Sequence, residues 1–234
     1  MPANAVASAL ERVYAARFFR RHPVLTPALR SLIEDVLAHR SPRLPVFMLW
    51  GVHEKGSADT LDDQTMDHLS ALLDRMHIVL SSEPAMTIVL CDSHAAVNCI
   101  DSDRAEAYMT AVESRAQARG WTTLRLSSLW QAGGLHASDV DTLAPTLCVG
   151  RDAPRLLEFA SKHYRGAGAA EGAARYMAAR LLERPLLAQR FAGSIHLTPS
   201  EPSLDPLQPE LPTFNIWTWR KGRSGKPWFT KEPV

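Results

Sequence analysis

The stretch VLCDSHAAVN, from Val89 to Asn98, decides the predicted fold of this chain. Its first residues complete a continuous run of apolar and β-branched side chains, Thr87–Leu90, which is typical of a strand covered on both faces, as in a parallel sheet. A polar corner, Asp92–His94, follows that strand almost directly. Because ligands bind outside the carboxyl ends of strands in open α/β sheets, we expect a small molecule to bind at this corner.

The chain before this corner predicts a βαβ unit. The short apolar run LPVFMLW, residues 44–50, indicates a buried strand, and the glycine-bounded loop GVHEKGS follows it. Apolar residues then recur at helical spacing after a capping-box-like start at Thr60 and Asp63. The return strand is residues 86–91, and a crossover of this kind makes the two strands parallel.

Helical periodicity, capping residues and turn residues predict the remaining elements. We expect Pro185 to end or kink the last helix, and residues 127–139, SSLWQAGGLHASD, to form a long loop. The C-terminal FNIWTWR alternates large residues, as an edge or antiparallel strand does. The other predicted helices cover residues 4–21, 27–38, 102–120, a segment from Ser138, 154–163 and 169–183, and the other predicted strands cover residues 122–126 and 193–198.

These elements predict one α/β domain over residues 1–234, because this length suits a single sizeable core. The predicted fold is Rossmann-like and three-layered, with a mostly parallel sheet and an antiparallel C-terminal edge. Within it we expect a helical lead-in over residues 1–40 and the Rossmann-like core over 44–200. A proline-rich loop, the edge strand and a basic and aromatic tail make up residues 201–234.

Composition limits the partners and the compartment. The 26 basic and 25 acidic residues give a net charge of +1, which provides no general attraction to nucleic acid or membrane. Three cysteines without a CxxC pair, Cys91, Cys99 and Cys148, favour a reducing cytoplasm over a disulfide scaffold. Residues 1–23 alternate apolar with charged side chains, so we predict neither a signal peptide nor a membrane span there. A homodimer is compatible with this composition, which does not determine the oligomeric state.

Two loops that leave neighbouring parallel strands supply the first candidate site. His53, Glu54 and Lys55 are expected at the same sheet edge as Asp92, so that the two loops face one cleft. Lys55 can hold a carboxylate or phosphate as a point charge, while Asp92 can bind an amino group or take a proton. The alternatives are that residues 53–55 form a solvated loop and that Asp92 caps a helix or a turn.

The residues beside Asp92 allow further roles. Ser93, His94 and Asn98 are candidate substrate-binding residues, and His94 could act as an oriented acid or base. Cys91 is expected to be a core residue, since no G-x-S-x-G elbow surrounds it. Three histidines (His53, His94, His196) lack tight ligand spacing, so we predict no metal and no other cofactor.

The second candidate is His196 in SIHLTPS, with Arg190 nearby in sequence. A histidine inside an apolar strand is either a buried core residue or a catalyst, and both interpretations stay open. The tail interleaves Trp217, Trp219 and Trp228 with lysine and arginine, which could stack on nucleic acid. A packed sheet edge with a solvated basic rim is the favoured interpretation, so a nucleic-acid partner is not expected.

The order of these motifs resembles the isonitrile synthase family, also called the pyoverdine/dityrosine biosynthesis family. That family combines a Lys-Ser loop, a helix opened by acids, a strand ending in SDG, an arginine-containing helix before SIH, and a closing PWH. The corresponding stretches here are EKGS (54–57), LDDQTMDHL (61–69), LCDSH (90–94), ERPLLAQRFAGSIHLT (183–198) and KPWF (226–229). Ser93 replaces the glycine and Phe229 the histidine.

The resemblance implies a Rossmann-like enzyme of specialised metabolism that acts on the amino group of an amino acid or a similar small amine, as a transferase or lyase. A pentose phosphate such as ribulose 5-phosphate would donate the isonitrile carbon. Lys55, Asp92 and His196 would then be the matched catalytic positions. The alternative is a non-catalytic accessory module that holds a nucleotide or metabolite in the same cleft.

Overall fold

The computed structural model describes residues 3–147, 154–200, 207 and 211–217. At its centre is a five-stranded sheet with the order β3-β2-β1-β4-β5, in which every neighbouring pair is parallel. The α/β class predicted from the sequence is therefore confirmed. The strands are β1 (Arg43–Trp50), β2 (Glu83–Leu90), β3 (Thr122–Arg125), β4 (Ile195–Thr198) and β5 (Thr213–Asn215).

Helices connect and cover the strands. The order places α1 and α2 before β1, α3 between β1 and β2, and two helices between β2 and β3. The described helices are α1 (Ala3–Val13), α2 (Pro27–Leu37), α3 (Thr60–Leu80), α4 (His94–Val97), α5 (Ser102–Ala118), α6 (Leu126–Ala132), α7 (Ala137–Leu143), α8 (Pro154–His163) and α9 (Ala169–Arg190), with a 3₁₀ turn at Ala144–Thr146.

The central strand β1 is buried on both faces because its successive side chains enter two different cores. Met48 belongs to the core that α1, α2, α3 and α5 cover, together with Ile88 of β2. Phe47 points the other way, into the core that α6, α7 and α9 cover. Neither face of a central parallel strand is exposed to water, and this explains why the run LPVFMLW of β1 is apolar throughout.

The predicted antiparallel C-terminal edge is wrong in its direction. β5 does lie at the sheet edge, but it pairs parallel with β4, His196 opposite Thr213. More than a dozen residues separate the two strands, which is long enough for a crossover that starts the second strand at the same end of the sheet. The antiparallel partner of this region is instead the N-terminal segment, through an isolated bridge between Phe19 and Ile216.

Two helix predictions also need correction. Pro185 does not end the last helix, because it lies inside α9, which continues to Arg190. Pro185 is on the exposed side of α9, and the carbonyl of Leu181 that it leaves unbonded belongs to a residue that is 40% exposed, where water can bind it. Residues 126–132 form α6 rather than part of a long loop.

The capping box of α3 begins one residue earlier than predicted. Asp59 is the N-cap and accepts hydrogen bonds from the backbone of Leu61 and Asp62, while the Asp62 side chain accepts from the Asp59 backbone. This difference matters for function, because it turns the Asp62 carboxylate back toward the end of β1.

Candidate functional site

The polar side chains of interest lie where β1, β2 and β3 end. The backbone N–H of Cys91 donates to the carbonyl of Trp50 across 2.9 Å, so the loops after β1 and β2 leave the sheet side by side. Strand order also reverses between β1 and β4, and such a reversal opens a crevice at the carboxyl ends of parallel strands.

A buried chain of hydrogen bonds starts at the last residue of β1. The indole N–H of Trp50 donates to the hydroxyl oxygen of Tyr108 across 3.0 Å, and that hydroxyl donates to Oδ1 of Asp62 across 2.9 Å. Asp62 and Tyr108 are both almost fully buried. Burial, and then the nearby Asp62 carboxylate, raise the pKa of Tyr108 well above its usual value, so its hydroxyl stays protonated and acts as a donor.

Lys55 connects this chain to solvent. Its ammonium group lies 3.1 Å from Oδ2 of Asp62 and 2.8 Å from Oδ2 of Asp59, and 22% of its side chain is exposed. Gly56 follows it with a φ of 71°, a left-handed conformation that favours glycine and turns the loop back toward α3. The pKa of Asp59 is lowered: burial would raise it, but the hydrogen bond and charge of Lys55 outweigh that effect.

A small cavity of about 20 Å³ adjoins this chain, which is room for little more than one water molecule. Its wall includes Gly51 and the side chains of Asp62, Thr65 and Tyr108. His53 also lines it, buried, with its ring edge-on to that of Tyr108 at a centroid distance of 5.3 Å. The sequence prediction placed His53 and Lys55 at this edge, and the structure brings both to the same buried chain.

Asp92 is held by the start of α6. Its carboxylate accepts from the backbone N–H of Ser127 at 2.9 Å, from the Ser127 hydroxyl at 2.6 Å and from the backbone N–H of Ser93 at 3.0 Å. A guanidinium nitrogen of Arg125 lies 3.9 Å from Oδ2. These bonds tie the end of β2 to the end of β3, and they leave one of the lone-pair positions of the carboxylate for a further donor.

A second buried cluster lies on the opposite side of the sheet, between α4 and α9. Nε2 of His94 is 2.9 Å from Oε2 of Glu183, and the other carboxylate oxygen of Glu183 accepts from Arg180. All three side chains are buried. Burial alone would raise the pKa of Glu183, but His94 and Arg180 more than offset it, so this pKa lies below its ordinary value and the carboxylate is charged.

The rings of Trp130 and Tyr176 border the same cluster. They lie edge-on to His94, with centroid distances of 6.4 Å and 5.8 Å. Asn98 donates from its side-chain amide to the carbonyl of His94 across 2.9 Å. Asn98 therefore fixes the turn that carries His94, which is a structural role for a residue predicted to bind substrate.

His196 and Arg190 lie beside aromatic rings. The ring of His196 is buried and stacks on that of Phe47 at 4.7 Å, and Phe47 stacks in turn on Phe191 at 4.0 Å. The exposed guanidinium of Arg190 lies 5.6 Å from the centroid of the Phe191 ring. Cys91 is buried, and burial raises the pKa of its thiol, which keeps it protonated as expected of a core residue.

The three predicted catalytic residues thus lie in three different settings. Lys55 contacts the buried chain at β1, Asp92 contacts the start of α6, and His196 lies inside an aromatic stack. In the part of the chain that the structure describes, Lys55 and Asp92 share no hydrogen-bond partner. The polar groups closest to each of them come from residues that sequence reasoning did not select.

The residues that sequence reasoning missed are Asp62, Tyr108, Arg180 and Glu183. Asp62 had a signal, because its position three residues after Asp59 fits a capping box. Tyr108 lies in an apolar helical stripe, and such a position predicts a core residue. Glu183 and Arg180 lie amid apolar positions of α9, and nothing in their spacing indicates that His94 would face them.

The tail beyond Trp217, including the KPWF motif, lies outside the described residues. Within residues 3–147 and 154–217, so far as these are described, no group of three or more His, Cys, Asp or Glu side chains is arranged to hold a metal ion. Over the same residues, no helix has both the length and the apolar character that crossing a bilayer requires.

Comparison with solved structures shows a shared fold. The crystal structure of the PvcA protein from Pseudomonas aeruginosa superposes with a TM-score of 0.59 and 17% sequence identity, over 97% of this chain and 88% of PvcA. PvcA is related to the pyoverdine/isonitrile synthases, so the resemblance predicted from the motif order is confirmed at the level of the fold.

A tyrosyl-tRNA synthetase from Archaeoglobus fulgidus, solved with L-tyrosine, gives a TM-score of only 0.41 at 12% identity, over 82% of this chain and 55% of the synthetase. A score this low does not indicate a common fold. No family model matches the chain, and no curated protein matches it.

Proposed function

We propose that this chain is a Rossmann-like, isonitrile-synthase-like enzyme of specialised metabolism that modifies the amino group of an amino acid or a similar small amine. A sugar phosphate serves as the co-substrate. One observation carries the proposal: a fold shared with PvcA over nearly the whole chain presents Lys55, Asp62 and Tyr108 as a connected polar chain at the carboxyl end of β1. The strand order, 3-2-1-4-5, supports the Rossmann-like description.

The contacts of each proposed residue suit its role. Lys55 keeps part of its ammonium surface toward solvent while Asp59 and Asp62 hold it, so it can bind a phosphate or carboxylate group. Asp92 accepts three hydrogen bonds and has capacity for one more donor, which an ammonium group would fill. His196 is the acid or base by its place in the SIH motif, and its ring stacks on that of Phe47.

A thermal-shift titration tests the proposal, since a ligand that binds only the folded state raises the melting temperature. The wild type, Asp92→Asn and Lys55→Met are each titrated with amino acids, pentose phosphates and nucleotides. Asp74→Asn is the matched control, because Asp74 is exposed and far along α3 from its N-terminus. We expect an amino acid to stabilise the wild type and the control but not Asp92→Asn, and a pentose phosphate to lose its effect in Lys55→Met.

The second candidate function is a non-catalytic module that binds a nucleotide or metabolite. The setting of His196 favours it, since this predicted catalytic residue is 1% exposed and stacks on Phe47. Stabilisation by a nucleotide alone would support the binding module and contradict the proposed enzyme. Stabilisation by neither class of ligand would contradict both.

A further inference from the structure

The cluster of His94, Glu183 and Arg180 is not used by the proposed roles of Lys55, Asp92 and His196. Its geometry shows which nitrogen of the imidazole carries a hydrogen. An ionised carboxylate only accepts hydrogen bonds, so Nε2 of His94 must carry a hydrogen that it donates to Glu183 across 2.9 Å. The lone pair of a neutral His94 is then on Nδ1.

Two buried donors near this imidazole are unsatisfied. The indole N–H of Trp130 and the hydroxyl of Ser93 make no hydrogen bond to any residue that the structure describes. Trp130 is 4% exposed and its ring lies edge-on to that of His94. Ser93 is the residue directly before His94 in the sequence. Buried donors without partners are rare and costly, and a bound acceptor is one physical reason to keep them.

We propose that His94 is the base that activates the amine substrate, and that Glu183 positions it. The substrate class is a free amino acid, whose ammonium group donates to Nδ1 of His94 and whose carboxylate accepts from Trp130 and Ser93. This inference rests on the proposed function, because it names the base that an enzyme acting on an amino group requires.

The proton step balances within these groups. An N–H bond of the substrate ammonium breaks, its electron pair stays on nitrogen, and an N–H bond forms at Nδ1 of His94. The products are a neutral, nucleophilic amine and an imidazolium. Glu183 then faces a full positive charge through the hydrogen bond it already makes, as the carboxylate does in a serine hydrolase triad. Arg180 keeps Glu183 ionised and oriented beforehand.

The test uses protein labelled with ¹⁵N at histidine and tryptophan, with glycine as the probe, because glycine carries only the two groups at issue. In the free protein, Nε2 of His94 should carry a hydrogen. An ammonium group is a weaker acid than an imidazolium, so the resting complex keeps the proton on glycine, which donates it as a hydrogen bond to Nδ1. With glycine we therefore expect the Nδ1 resonance of His94 to shift, together with the Trp130 indole N–H resonance. Acetate should shift the indole resonance and leave Nδ1 unchanged.

Two variants separate positioning from folding. Glu183→Gln should weaken glycine binding about tenfold and abolish the Nδ1 shift, since the new amide can donate to Nε2 and so place the ring hydrogen on Nδ1. The double variant Arg180→Met/Glu183→Leu removes the carboxylate without leaving a buried charge alone, so it covers the case in which Glu183→Gln fails to fold. Glu171→Gln, an exposed glutamate on the same helix, is the matched control.

The outcomes distinguish this inference from the proposed function. An Nδ1 resonance that does not shift with glycine overturns the inference, even if amino acids stabilise the chain through Asp92. The same holds if the Nδ1 shift is equally large in Glu183→Gln. A glycine-dependent shift of Nδ1, combined with no effect of any pentose phosphate, supports the amino-acid site while contradicting the proposed two-substrate enzyme.

Discussion

The hydroxyl group of Tyr108 donates to Oδ1 of Asp62 across 2.9 Å, although 46 residues separate them in sequence. This bond joins α5 to the N-terminus of α3, and Trp50 adds the end of β1 to the same chain. Three elements that meet at the carboxyl edge are thereby fixed relative to one another. Trp50, Asp62 and Tyr108 are buried, and 22% of the Lys55 side chain is accessible. Substitutions among these residues should therefore change stability as well as ligand binding.

Tyr108→Phe should lower the free energy of unfolding by about 1 to 3 kcal/mol. The variant removes the acceptor of the Trp50 indole N–H and leaves that donor buried without a partner. Oδ1 of Asp62 also loses the hydrogen bond from Tyr108, while Lys55 and the Asp59 backbone still donate to Oδ2. Urea unfolding of both proteins measures the difference.

Tyr14→Phe is the control for this change, since Tyr14 is only partly buried and its hydroxyl makes no hydrogen bond to a described residue. It should alter the unfolding free energy by less than about 0.5 kcal/mol. Equal effects of the two variants would show that the Tyr108 hydroxyl contributes nothing specific.

The sequence predicted the edge on which these groups lie but not their partners. Apolar runs such as LPVFMLW and the polar corner after Leu90 located β1, β2 and the loops that hold Lys55 and Asp92, because strand burial and strand ends leave local patterns. Tyr108 and Glu183 leave no such pattern. Each acquires its role from a partner on another helix, and only the packed fold determines which residues face each other.

The direction of β5 was missed for a similar reason. An alternating stretch indicates an exposed edge, but its pattern is the same whichever way the strand runs. Only the path of the preceding loop decides between parallel and antiparallel pairing.

Stability should fall on acidification in a way that depends on Glu183. Its pKa in the folded chain lies below the ordinary value of 4.5, so the folded state binds this proton less readily than the unfolded chain does. The stabilisation is therefore complete above the ordinary pKa and is lost as the pH falls through the lower, folded value. Asp59 contributes in the same direction.

Urea unfolding from about pH 6 to about pH 3 measures this dependence. The double variant Arg180→Met/Glu183→Leu should show a shallower fall than the wild type, and Glu171→Gln should follow the wild type. An unchanged slope in the double variant would mean that Glu183 is not the group that titrates.

His196→Phe should fold with a stability within about 1.5 kcal/mol of the wild type, because phenylalanine preserves the stack on Phe47. His196→Ala should cost about 2 to 4 kcal/mol, since it opens a cavity at a residue that is 1% exposed. If His196 is also the acid or base, His196→Phe will fold and bind an amino acid but lack turnover. A folded His196→Phe with full turnover would restrict His196 to the core.

Lys55→Met should affect both stability and phosphate binding. The methionine keeps the apolar stem of the side chain but removes the cation shared by Asp59 and the buried Asp62, so the unfolding free energy should fall by about 1 to 3 kcal/mol. Lys162→Met is the matched control: Lys162 also pairs with an acid, Glu158, but 59% of its side chain is exposed, and the loss should stay below about 0.5 kcal/mol. Thermal-shift titration with ribulose 5-phosphate completes the test. We expect the control to be stabilised like the wild type and Lys55→Met to show no shift, whereas equal stabilisation of all three would place the phosphate site away from Lys55.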